Sequence, residues 1–106
     1  MISPPRFLHG SKVVLFTKID SRHRPTGNMK HYFGTIVDGE PVKQELLPVA
    51  AGIAICHYEE DDYYYLVYCD TNWNVMTDTW HKTLEEAKRQ AEYEYEGVSK
   101  TWEYPT

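Results

Sequence analysis

A chain of 106 residues that is 42% hydrophobic and 25% charged has the balance of one globular domain (1–106) and is too apolar for a disordered tail. No apolar run nears the ~20 residues of a membrane helix, residues 1–6 lack the apolar stretch of a secretory signal, and two cysteines are too few for a disulfide framework. The formal net charge of -5 argues against nucleic acid as a partner, because such binders present a basic footprint.

Residues 1–11, rich in proline and closed by Gly10-Ser11, are expected as an irregular leader. Residues 12–19 are β-branched and aromatic and predict a strand, and 21–28, punctuated by Pro25 and Gly27-Asn28, predict a loop. Residues 30–37 read as a second strand turned by 38–41, and 42–50 are ambiguous because Pro48 opposes a regular element through them. Residues 52–58, a polar break at 59–62, residues 63–69, a turn at 70–74 and residues 75–80 predict a three-stranded antiparallel meander. On the last strand, Met76, Asp78 and Trp80 are expected on one face and Val75, Thr77 and Thr79 on the other.

If the first turn centres on Glu60-Asp61, Cys69 lies opposite Gly52 and Cys56 opposite Tyr65. The thiols are then about 13 Å apart at ~3.3 Å per residue, beyond the roughly 7 Å a disulfide allows. A two-residue change of turn centre would align them, so the expectation of free buried thiols depends on register. Thr83 with Glu86 three residues on makes a capping box, and Leu84, Ala87, Ala91 and Tyr95 recur at helical spacing. The spacing predicts a helix over 84–96 stopped by Gly97, with Val98 and Trp102 closing the edge of its packing. The fold class is α+β: an antiparallel sheet of four to five strands with one C-terminal helix packed on a face.

The two halves differ in charge. Residues 1–53 hold seven Lys/Arg and four Asp/Glu, net +3, whereas 54–106 hold four and twelve, net -8, with eleven of the fifteen aromatics. Such a half attracts a basic protein and repels a polyanion. Cys56, His57, Cys69 and His81 are ligand types without ligand spacing, so neither a metal nor another cofactor is expected. No nucleophile-elbow, cysteine-protease or phosphate-loop pattern is present, and Cys69 with His57 and Asp70 or Asp78 makes only a paper triad. Arg22-His23-Arg24 is read as a solvated loop cluster. Asp78 beside Met76 and Trp80 is a candidate carboxylate in an apolar setting, against the simpler reading that it faces solvent.

The strongest pattern joins acids and aromatics. Glu59, Glu60, Asp61 and Asp62 precede Tyr63, Tyr64 and Tyr65, and Asp70 and Trp73 follow in the next turn. Consecutive tyrosines on a strand must serve both sheet faces, and Tyr and Trp are common interface anchors. These nine residues form the expected partner-binding surface.

The stretch Thr77-Asp78-Thr79-Trp80-His81, running into Ala87 and then Gln90-Ala91-Glu92-Tyr93-Glu94-Tyr95, resembles the C-terminus of short uncharacterised bacterial proteins in which a T-D-T-W-H strand end leads into an A-x-x-Q-A-E-[FY]-E-[FY] helix. Residues 65–102 carry this likeness, and it implies no catalytic residues. In size, charge and class the chain is also similar to immunity proteins of bacterial toxin systems. The leading expectation is a non-catalytic cytoplasmic binding module, an immunity-like inhibitor of a basic protein partner, with no membrane and no nucleic acid involved. The alternatives are a structural or regulatory homo-oligomer that pairs through its aromatic sheet face, and a small-molecule binder or enzyme with a pocket near Asp78, Trp80 and His81.

Overall fold

The computed structural model describes the backbone of residues 1–29, 31–37, 40–46 and 48–105, and the side chains of 1–29, 31 and 48–105. Among these, a five-stranded antiparallel sheet runs in the order β1 (Phe7–Leu8), β2 (Ser11–Lys18), β6 (Gly52–His57), β7 (Tyr64–Cys69), β8 (Val75–His81). Two short ladders stand apart from it, β3 (Arg24–Pro25) with β9 (Tyr95–Glu96) and β4 (Tyr32–Val37) with β5 (Glu40–Leu46). The helix α1 (Leu84–Glu94) packs on one face of the large sheet, giving the α+β class that the sequence predicts.

The sheet differs from the expectation in its fifth strand. Phe7 and Leu8, read as irregular leader, pair with Lys12 and Ser11 across a tight turn in which His9 and Gly10 have positive φ. Of the strand expected at 30–37, residues 32–37 instead form a separate hairpin with 40–46, of which the sequence reads 40–41 as turn and 42–46 as ambiguous. Pro41 fits β5 because the register shifts there, between Thr35 and Ile36 of the partner strand, and proline is accommodated at such irregularities. Lys30, Asp38 and Gly39 of the expected strand and turn lie outside the described residues.

The β6–β7 hairpin of the meander takes the register of a turn centred on Glu60-Asp61, the first of the two alternatives: Gly52 faces Cys69 and Cys56 faces Tyr65. Both thiols are free and buried, and burial pushes Cys56 up to about 11 and Cys69 up to about 12.

Each sheet face carries a core. On the helix side, Leu15, Ile53, Ile55, Leu66 and Tyr68 meet Ala87, Ala91, Tyr95 and Val98. The two alanines let the helix backbone approach the sheet, and Leu84 and Trp102 pack at the margin. On the other face, Val13, Phe16, Ala54, Cys56, Val67 and Cys69 lie under Leu8 and Trp73. A bulge between Val13 and Leu15 shifts the phase of β2, so these two residues two apart serve opposite cores.

The helix begins as predicted. Thr83 Oγ1 accepts from the Glu86 N–H at 3.1 Å, while the Glu86 carboxylate reaches back to the Lys82 N–H rather than that of Thr83. It ends two residues short of the expected boundary, because Tyr95 and Glu96 turn extended to pair with Pro25 and Arg24. Gly97 then has a φ of 107°, and a Cβ there would stand 2.6 Å from the Arg22 carbonyl oxygen, so only glycine fits.

Candidate functional site

The β6–β7 hairpin end carries the acidic-aromatic cluster. Glu59, Glu60 and Asp62 are exposed. Asp61 is half-buried and structural: it accepts from the Tyr63 N–H and from the Tyr65 hydroxyl at 2.9 Å, and that bond pushes the Tyr65 phenol above its ordinary value. The tyrosines divide as strand geometry requires. Tyr64 packs toward the helix-side core, with its ring 4.7 Å from that of His57, and Tyr65 packs on the opposite core with Tyr58 edge-on at 5.2 Å. Tyr63 is 41% exposed and meets Trp80, 61% exposed, in a T-shaped pair 5.1 Å apart. Trp80 reaches the hairpin end because it stands opposite Tyr65 in the β7–β8 ladder. Of the expected surface, exposed Tyr63 and the three exposed carboxylates of the same turn remain at this end, and Tyr63 is joined by Trp80, a residue of the expected pocket.

Asp70 and Trp73 do not join them. They follow the far end of β7, a strand of six residues and so roughly 20 Å from the hairpin at ~3.3 Å per residue. Asp70 organises its own turn, accepting from the Asn72 and Asn74 N–H groups, and these bonds, Asn74's first, hold its carboxyl below the usual range. Trp73 is only 3% exposed, so it belongs to a core and not to the surface. Its φ of 61° swings the indole back over Gly52, where a Cβ would stand 2.6 Å from the ring, and its N–H donates to the Ile2 carbonyl at 2.7 Å.

Asp78, Trp80 and His81 do not share a pocket. Asp78 and Trp80 are exposed on the sheet face away from the helix. His81 projects to the helix face, where its Nε2 lies 2.8 Å from Thr79 Oγ1 and burial lowers its pKa. It borders an open depression of about 440 Å³ with Glu86 and Arg89, whereas Asp78 borders a separate void of about 40 Å³ beside Tyr65. The expected grouping of Met76 with Asp78 and Trp80 fails because a register shift between Tyr68 and Cys69 puts an extra residue into β8, leaving Met76 against the helix-side core.

The Arg22-His23-Arg24 cluster is dispersed. Arg22 pairs with Asp20, whose carboxyl its hydrogen bonds hold at about 2, and Arg24 pairs with Glu96 at 2.6 Å. His23 is buried, with Nδ1 accepting from the Asp20 N–H and Nε2 2.7 Å from Thr101 Oγ1. Among the described residues no group of three or more His, Cys, Asp or Glu side chains is placed to hold a metal ion.

A second site escaped the sequence reading. Glu94, 3% exposed, sits on the buried side of α1 and accepts from the Tyr68 hydroxyl and from Gln90 Nε2 at 2.9 Å, and faces His31 Nε2 at 2.7 Å. Burial, with Glu94 beside it, pushes the Tyr68 phenol far above its ordinary value. The loop after β3 is laid over the helix end by Thr26 and Asn28, which donate to the Tyr93 carbonyl at 2.6 and 3.0 Å. The available signal was spacing: Glu94 follows Ala91 by three residues and so falls on the apolar stripe. Nothing local in the sequence announces His31.

No family model matches the chain, and neither the curated proteins nor the solved structures contain a significant match.

Proposed function

We propose that the chain is a non-catalytic binding module, an immunity-like inhibitor acting in the cytoplasm, that docks a basic protein partner through the β6–β7 hairpin end. The observation that supports this reading is the exposed Tyr63–Trp80 pair at a hairpin end whose turn also carries exposed Glu59, Glu60 and Asp62. Large rings in contact supply an anchor with little entropy to lose, and exposed acids steer a cationic partner and repel an anionic one. No helix among the described residues is long and apolar enough to cross a membrane.

The test is to isolate the partner by pull-down from the native host and measure binding kinetics. Glu59→Gln, Glu60→Gln and Asp62→Asn together should slow association and flatten its salt dependence, leaving dissociation little changed. Asp61 is spared because it holds the hairpin together. Trp80→Ala should speed dissociation at least tenfold, as losing an anchor worth about 2 kcal/mol would. Unchanged association in the triple variant refutes the steering role.

A homo-oligomer is a second reading, favoured by one observation: among the described residues β8 pairs only with β7, leaving its outer edge open beside Trp80. A mass measurement in solution separates the two, since a dimer broken by Trp80→Lys supports self-pairing.

A further inference from the structure

Between the loop after β3 and the end of α1 lies a cleft of about 160 Å³, walled by Pro25, Met29, His31, Tyr68, Met76 and Tyr95. An apolar cavity of about 150 Å³ accommodates one benzene ring. Two tyrosine rings, two thioethers and two prolines, Pro25 and Pro48, give the lining that a flat apolar body takes. His31 brings a polar ring in a fixed orientation to this wall: its Nε2 lies 2.7 Å from Glu94 Oε1, and its ring centroid lies 4.6 Å from that of Tyr68 at a 44° tilt. Glu94 accepts from Tyr68 and Gln90 as well. With Nε2 turned to that carboxylate, Nδ1 is the second polar atom of the ring, and no hydrogen bond to it is found among the described residues.

We propose that this cleft is a binding site for a small single-ring aromatic alcohol, with the ring between Tyr68, Tyr95 and Met76 and the hydroxyl hydrogen-bonded to His31 Nδ1. The size selects one ring, a hydroxyl can both donate and accept and so suits Nδ1 in either role, and the apolar wall disfavours a charged head. The site is separate from the hairpin end and stands whether or not that end binds a protein.

Phenol is the probe, with benzene and benzoate for comparison, titrated into the full chain with ¹³C-labelled methionine methyls. Phenol should give saturable shifts at Met29 and Met76, benzene should bind about fivefold more weakly for want of one hydrogen bond, and benzoate should not bind. Val49, 58% exposed at the cleft mouth, offers a variant that leaves the core untouched: Val49→Trp should abolish the shifts. His31→Leu should bring phenol down to benzene's affinity, and Trp80→Ala should leave phenol binding unchanged. Absence of saturable shifts at both methyls overturns the proposal, as does equal binding of phenol and benzene, binding of benzoate as tight as phenol, or undiminished binding in Val49→Trp.

Discussion

Trp73 shows how a residue's chemistry underdetermines its role. A tryptophan in a polar turn after an acidic, aromatic strand has the composition of an interface anchor. Here the left-handed backbone at that position turns the ring inward onto Gly52, and the indole N–H finds the Ile2 carbonyl. A tryptophan at positive φ is strained, and burial of a large ring offsets that cost. Trp73→Ala should therefore lower stability by about 3–5 kcal/mol, read as a shift of the urea midpoint, through loss of the lid on the second core. Gly52→Ala should also destabilise, because the added methyl meets the ring. A Trp73→Ala protein of unchanged stability would return this residue to the surface.

The helix is the element whose sequence and structure agree most closely, because its determinants are local. A cap, an acidic first turn and an apolar stripe lie within a dozen residues. Thr83→Ala should cost about 1 kcal/mol through the lost bond to the Glu86 N–H. Ala91 is fully buried between helix and sheet, so Ala91→Glu should cost several times more by forcing an unpaired charge there. Equal effects of the two, measured by denaturant unfolding, would contradict the packing. The helix end is different: its last turn yields to a ladder with Arg24 and Pro25, residues about seventy positions away, which no window of the helix sequence contains.

At the scale of the molecule, the charge contrast between the chain halves is not a contrast between two faces. Strand β2 of the first half pairs with β6, which straddles the boundary, and Arg22 and Arg24 are neutralised by Asp20 and Glu96. What remains concentrated is the exposed acid at the β6–β7 turn. The Tyr68–Glu94–His31 network joins the sheet, the helix and the loop after β3, so its members should act together. Tyr68→Phe and Glu94→Leu should each cost about 1–3 kcal/mol, since each leaves a buried partner unsatisfied. The double variant should cost at least about 1 kcal/mol less than their sum, because both partners are then gone. Additive costs in equilibrium unfolding would mean that the two groups are not coupled.

By itself the sequence determined what short-range chemistry controls: the three strands of the meander over 52–80, the helix start, and tyrosines on both sheet faces. Turn residues and period-two or helical spacing specify these within about a dozen residues. Only the tertiary structure decided the rest. It paired Phe7–Leu8 with β2 and kept 32–37 and 40–46 out of the large sheet. It divided the expected site, leaving Tyr63 and Trp80 exposed at one end of β7 while burying Trp73 at the other. A one-residue register shift separated Met76 from Asp78 and Trp80, since an inserted residue reverses every side chain beyond it. It brought His31 to Glu94 across 63 positions of chain, a juxtaposition set by which loop covers the helix end and not by any local pattern.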